Sequence, residues 1–271
     1  MISAEIWVRL LSYEIAFCPQ RDRFTNMIRF NSKISKMGEM ADIHLMNSKN
    51  NRILRVHRTK AQAKESYDKI SRFYDYFAGV FEKKYRNMAL ERLNIKRGET
   101  VLEIGFGTGH CLKQIAESVG ETEKAYGIDI SFGMLQVTKK RLEKAGLIDR
   151  VELYRGDALK MPYRDNKFDA VFMSFTLDLF GTPEIPKVFS EIKRILKSKG
   201  RIGVVSASKE DGESILLKLY EWAHQRFPKY VDCRPIYVEQ SLKDAGYEIQ
   251  HKETVEILGL SGEIVIGASP S

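Results

Sequence analysis

The 271-residue chain is 43% hydrophobic and 30% charged, a balance that fits one sizeable α/β domain with an appendage. No stretch approaches the roughly 18 uninterrupted apolar residues of a spanning helix, and Glu5, Arg9 and Glu14 break up any secretory-signal core in the apolar first residues. Of the net charge of +8, +6 lies in residues 1–66, so the rest of the chain is nearly neutral.

Residues 1–45 lack sustained periodicity. The expected organisation is a partly flexible leader over 1–58 and a folded domain over 59–271. The basic excess concentrates in Lys49 to Lys64, and two readings stand: a solvated leader, or a patch for anionic lipid headgroups or nucleic acid. No aromatic interleaving accompanies it, so no specific nucleic-acid partner is expected. From Thr59 the pattern sharpens. Tyr67, Ile70, Tyr74, Phe77, Phe81, Tyr85 and Met88 recur every three or four positions and predict a long helix with one wide apolar face. It is expected across the carboxyl edge of a sheet.

Val101–Ile104 then reads as a strand, followed by Gly105, Gly107 and Gly109 at every second position and a helix over Cys111–Val119. Such a turn lets backbone N–H groups approach a ligand that a Cβ would exclude. The dinucleotide fingerprint G-x-G-x-x-G is not met, because His110 stands where its last glycine would fall. Ala125–Ile130 is a second strand carrying Asp129, placed to accept hydrogen bonds from ribose hydroxyls. Val151–Arg155 is a third, followed by Gly156-Asp157-Ala158, and Phe168–Phe175 is a nearly all-apolar fourth, as a buried parallel strand should be. A helix over Val188–Lys197 and a strand over Arg201–Ser206 follow. Beyond Asp211-Gly212 the spacing predicts a helix from Ser214 to Phe227, a second opened by Pro235 over Ile236–Ala245, and strands over Tyr247–Leu258 and Gly262–Gly267. Cys18, Cys111 and Cys233 are too few and too scattered for a disulfide framework or a metal site, so a reducing, cytoplasmic setting and no metal are expected.

The E-x-G-x-G-x-G spacing from Glu103, followed by Asp129, Asp157 and the fourth strand, resembles motif I and its successors in the class I S-adenosylmethionine (SAM) methyltransferases. The likeness covers roughly residues 50–268. It implies a three-layer αβα sandwich, Rossmann-like, with a seven-stranded, mostly parallel sheet whose last strand is antiparallel. It also implies SAM as cofactor. On this resemblance Glu103 faces the methionine end of SAM and Gly105, Phe106 and Gly107 let the backbone approach. Asp129 takes the ribose diol, Ile130 and Met134 cover the adenine, Asp157 and Ala158 address its edge, and Ser174 and Phe175 lie under the sulfonium. For Asp129 and Asp157 the alternative is a loop aspartate capping a helix.

The arrangement Tyr67, Asp68, Ser71, Tyr74, Asp75 resembles the opening helix of ubiquinone- and menaquinone-biosynthesis methyltransferases and of bacterial phosphatidylethanolamine N-methyltransferases. That likeness assigns Tyr67 to the cofactor and Tyr74 to catalysis, with core packing as the alternative. Asp178, just past the fourth strand, is the candidate base, with a helix cap or solvated carboxylate as its alternative. His110 is read as a helix-start residue, and His224, among Tyr220, Trp222, Phe227 and Tyr230, as part of an aromatic wall. Phe175-Thr176-Leu177-Asp178-Leu179 stands where quinone C-methyltransferases carry a G-L-R-N-type stretch. The expected acceptor is small, apolar or aromatic, quinone-like or lipid, with peripheral membrane contact compatible. The competing readings are an RNA or protein methyltransferase using the basic leader, and a non-catalytic SAM-binding protein.

Overall fold

Val101–Ile104 (β1) is buried along its whole length, including Glu103, as a strand covered on both faces must be. The computed structural model describes Asp68 and residues 79–209, 234–257 and 260–270. In them β1 joins β2 (Ala125–Asp129), β3 (Val151–Arg155), β4 (Phe168–Ser174), β5 (Leu196–Ala207), β6 (Glu248–Ile257) and β7 (Leu260–Ala268) in the order β3-β2-β1-β4-β5-β7-β6. The first five strands pair in parallel, and β7 runs antiparallel to both β5 and β6. This is the expected seven-stranded sheet. Its direction of winding reverses between β1 and β4, and open α/β sheets bind ligands at the carboxyl ends of the strands flanking that point.

The helices form two outer layers. On one face lie α1 (Gly79–Leu93), α2 (His110–Val119) and α3 (Phe132–Lys144); on the other lie α4 (Ile185–Ile195) and α5 (Val238–Asp244). α2 buries Cys111, Leu112, Ile115, Ala116 and Val119, a single stripe at helical spacing. α4 buries Ile185, Val188, Phe189, Ile192 and Ile195 against the other face. Each large apolar side chain buried there is worth about 1.5–3 kcal/mol relative to exposure. Ser131 caps α3, its Oγ accepting the Met134 N–H at 3.1 Å.

Several boundaries differ from the sequence reading. α4 begins at Ile185 and stops at Ile195 because Leu196 pairs with Phe168 and enters β5. Pro235 does not open a helix: Ile236 forms a parallel bridge with Ser208, and α5 starts at Val238. There the buried Glu263 carboxylate accepts the Val238 N–H at 2.9 Å. β4 ends at Ser174 because Phe175 has φ +48°, outside any strand conformation. α1 runs on to Leu93 and packs Ala89, Leu90 and Leu93 onto a sheet face with Phe172, Val205 and Ile264, while Glu82 and Arg86 reach toward the carboxyl edge. The leader boundary near residue 58, the start of the predicted long helix, the Ser214–Phe227 helix and His224 lie outside the described residues. No described helix is long and apolar enough to cross a membrane.

Candidate active site

The glycine turn after β1 is held from three sides. Gly105 has φ +71°, and a Cβ there would sit 2.4 Å from Thr176 Cγ2, so the turn presses directly against the loop that follows β4. Its N–H donates to Ile128 O at 2.7 Å. Gly107 differs: its φ is +51°, yet a Cβ would meet nothing within 4 Å. The space beside it is open, and it lies in the wall of the cavity. Gly107 N donates to Asp129 Oδ2 at 2.9 Å, and Thr138 Oγ1 donates to Gly107 O at 2.8 Å. The cradle is therefore tied to the tip of β2 and to α3.

Glu103 lies at the floor, 2% exposed. Burial pushes its carboxyl well above the ordinary range, an effect the Arg86 guanidinium opposes and Asp129 reinforces. The Cys111 thiol and the Leu112 N–H donate to it. Its Oε2, and the Oγ of Ser174 at the end of β4, are buried with no hydrogen-bond partner among the described residues. Buried polar atoms are ordinarily satisfied, so two such atoms in the lining of one cavity point to a polar ligand that supplies their partners.

At the tip of β2, Asp129 accepts the Ser131 N–H at 2.8 Å through its other oxygen. Burial pushes its pKa up to about 6, the Ser131 and Gly107 amides pull it down, and Asp68 adds to the rise. Asp68 is fixed to the same turn: its Oδ1 accepts Ser131 Oγ at 2.5 Å and Gly133 N at 2.8 Å. After β3, Asp157 lines the cavity while its Oδ1 accepts Leu159 N at 3.0 Å, so the turn-capping role and a place in the site coexist. Ile130, Met134 and Ala158 line the cavity beside these carboxylates, and Phe106, Ser174 and Phe175 complete that part of its wall.

One cavity thus gathers eleven of the sequence-derived positions: Glu103, Gly105, Phe106, Gly107, Asp129, Ile130, Met134, Asp157, Ala158, Ser174 and Phe175. It is an open cleft, with about 1090 Å³ of empty space counted out through its mouth. Past Phe175, whose positive φ marks a constrained backbone, the wall continues with Thr176, Leu179, Phe180 and Glu184. Asp178 is not part of the lining. It lies in the single 3₁₀ turn Leu177–Leu179, with no exposed surface. Tyr67 and Tyr74 fall outside the described residues. The sequence reading missed Arg86, Leu179, Phe180 and Glu184. Arg86 carried one signal, its i,i+4 ion pair with Glu82 at 3.1 Å; the other three carried none.

The donor set fits an adenosyl compound with a cationic amino-acid end. Carboxylates stand ready for a diol and an ammonium, apolar side chains for a flat base, and open backbone for close approach. Over 206 residues the chain is 31% identical to a demethylmenaquinone methyltransferase of Symbiobacterium thermophilum, a match spanning 70% of this chain and 81% of that protein. The chain belongs to the class I SAM-dependent methyltransferases, in the group of the ubiquinone and menaquinone methyltransferases. A methyltransferase-domain family model matches residues 101–200. A Bacillus mycoides demethylmenaquinone methyltransferase is 34% identical over 140 residues, covering 50% of this chain and 58% of that one. Among solved structures, a SAM-dependent methyltransferase from Aquifex aeolicus superposes with TM-score 0.51 at 28% identity, covering 68% of this chain and 88% of that one. A putative sarcosine dimethylglycine methyltransferase from Galdieria sulphuraria, at TM-score 0.57, 15% identity and coverage of 69% and 84%, shares the fold. As a member of this family the chain is an enzyme that uses SAM as its methyl donor.

Proposed function

We propose that the acceptor is a small, apolar, quinone-like ring, methylated in its reduced, hydroquinone form. The observation that carries this reading is the likeness to the Symbiobacterium demethylmenaquinone methyltransferase, which the chain matches over most of its length. The apolar wall of Phe175, Leu179 and Phe180 beyond the cofactor residues supports it, since flat hydrophobic acceptors are held mainly by such surfaces.

Bound SAM supplies an electrophilic methyl group on a sulfonium. The chain's own residues then have a positioning task. Glu103, ionised, holds the ammonium of the cofactor, and Asp129 accepts the ribose hydroxyls. Ile130 and Met134 cover the adenine, Asp157 and Ala158 address its edge, and Gly105, Phe106 and Gly107 admit the amino-acid end. Ser174 and Phe175 form the floor beneath the reacting centre, and Tyr67 and Tyr74 are assigned to close over the two reactants. Fixing a nucleophile at attack distance is worth up to about 7–11 kcal/mol of barrier, so no covalent catalyst is required. The buried position of Asp178 behind the wall supports a charge-balancing role better than that of a base. Residues 1–58 are assigned to a leader, whose basic Lys49–Lys64 run would meet an anionic membrane surface where an apolar acceptor resides.

The test is direct. Purified full-length protein is incubated with SAM and a panel of short-chain demethylated naphthoquinols and benzoquinols, and products are read by mass spectrometry for a gain of one CH₂. The panel covers both ring types because Phe175–Leu179 differs from the G-L-R-N-type stretch of the quinone enzymes. Methylation of one ring class is the expected result. SAM binding with no methylated quinol of either class would remove this acceptor assignment while leaving the family standing.

A further inference from the structure

Arg234 is the largest by volume of the fully buried side chains among the described residues, with no exposed surface. A guanidinium withdrawn from water needs hydrogen bonds and opposing charge, and it finds them in the loop between β4 and α4. Its Nη2 donates to Phe180 O, and its Nη1 donates to Thr182 Oγ1 at 3.0 Å. The carboxylates of Asp178 and Glu184, from the same loop, favour its charged state against the cost of burial. Four positions of one short segment, Phe180 and Thr182 by hydrogen bonds and Asp178 and Glu184 by charge, thus act on a single side chain that lies fifty or more positions away in sequence.

The other end of Arg234 is equally fixed. Two residues on, Ile236 N donates to Ala207 O at 3.1 Å and Ile236 O accepts from Lys209 N at 3.2 Å, stitching this stretch to the end of β5. The loop's own bonds fall into two short local pieces, a 3₁₀ turn over Leu177–Leu179 and a turn before α4 in which Glu184 Oε2 accepts the Gly181 N–H at 2.9 Å and Glu184 N donates to Gly181 O at 2.8 Å, and short turns of this kind are a weak hold alone. Yet its Leu179, Phe180 and Glu184 form the cavity wall beyond Ser174.

We propose that Arg234 is a positioning residue for the acceptor: by clamping the Asp178–Glu184 loop to the end of β5, it sets the shape of the wall against which the acceptor lies. The proposal deepens the acceptor reading above and rests on it for the nature of what the wall meets. Asp178 acts here as the buried counter-charge of the clamp. Arg234 touches neither reactant.

The experiment uses the full chain in three forms: wild type, Arg234→Met, and Arg234→Met with Asp178→Leu. Arg234→Met leaves the Asp178 carboxylate buried without this opposing charge and is expected to lower Tm. The double variant replaces the charge pair by apolar groups, a change often neutral or stabilising, and is expected to recover Tm. Both variants should bind SAM, by calorimetry, with a Kd within threefold of wild type. Both should show at least tenfold faster amide exchange in residues 177–184 and an acceptor KM, measured with the best quinol of the panel, raised tenfold or more over an unchanged SAM KM. Arg234→Lys, which keeps a charge but not the forked geometry, should fall between. The proposal is overturned if the double variant regains wild-type exchange and acceptor KM along with its Tm, because the pair would then be ordinary packing. It is equally overturned if SAM affinity falls as far as acceptor affinity. Should the wild type methylate no quinol, the acceptor reading fails, and the exchange and SAM-binding measurements still decide whether Arg234 holds the wall.

Discussion

The two halves of the cavity are built by different means. On the side of β1, β2 and β3, backbone groups and short carboxylates from consecutive strand tips form the wall. Gly107 N meets Asp129, Asp129 meets Ser131 N, and Gly156 N meets Asp129 O. Beyond β4 the wall is made of side chains, Leu179, Phe180 and Glu184, and these are held by an arginine from a remote part of the chain. A site made of backbone tolerates little change of residue type, whereas a site made of side chains can be reshaped by single substitutions. The first suits a ligand common to a whole family, the second a ligand that varies between members.

The sharpest way to break this contrast is to remove Asp129. Asp129→Ala deletes the proposed ribose acceptor and also frees the Gly107 and Ser131 amides that it now satisfies. Hydrogen bonds to charged groups are worth about 1.5–3 kcal/mol each, so SAM affinity by calorimetry should fall about 100-fold or more. Phe180→Ala tests the other half. It should leave the SAM Kd unchanged within error and raise the acceptor KM about tenfold, as loss of roughly 1.4 kcal/mol of apolar contact implies. If Phe180→Ala weakened SAM as strongly as Asp129→Ala does, the division into two halves would be wrong.

The same contrast explains what could be read from the amino-acid sequence. Backbone-built features leave local signatures: glycines at positions 105, 107 and 109 with positive φ, a carboxylate at the end of a strand, and β-branched runs in a sheet. These placed the seven strands and the residues that line the β1–β3 side of the cavity. Features that depend on residues far apart leave none. Phe180 and Arg234 meet only because β5 returns beside β4, and no spacing rule connects them. Asp178 shows the same limit: its place just past β4 suggested a base, and no spacing rule foretells the 3₁₀ turn that buries it completely. Pro235 likewise suggested a helix start, and the bridge of Ile236 to Ser208, a tertiary contact, overrode it.

Acidity gives a third, graded test. Asp129 is pushed up to about 6 from an ordinary 3.8, chiefly by burial. Between those values the folded, ligand-free protein holds a proton that the unfolded chain has lost, so this group lowers stability as pH rises from 4 to 6. Hydroxyl donors from a ribose favour the ionised carboxylate, so the ligand pulls the other way. SAM affinity should therefore be flat from pH 8 to 7 and weaken as pH falls through 6, by up to about tenfold per unit. Glu103, displaced upward too, adds to the slope in the same direction. Calorimetry at pH 6 in two buffers of different ionisation enthalpy should show proton release on binding. An affinity that does not change between pH 7.5 and 5.5 would contradict the assignment of Asp129 to the cofactor.

The smallest effect separates packing from electrostatics at the same turn. Asp68 accepts Ser131 Oγ and Gly133 N at the start of α3, and its charge adds to the upward displacement of Asp129. Asp68→Ala removes a cap-like acceptor worth about 1 kcal/mol, so SAM affinity at pH 7.5 should fall about fivefold. Asp68→Asn keeps an oxygen that can accept those bonds and should lose less. Both substitutions remove the negative charge, and both should therefore move the acid limb of SAM binding to lower pH, since Asp129 then ionises more easily. A purely structural role for Asp68 predicts weaker binding with the limb unmoved. The combination of near-normal affinity in Asp68→Asn with an acid-shifted limb can arise only if the two carboxylates sense each other across the Ser131 turn.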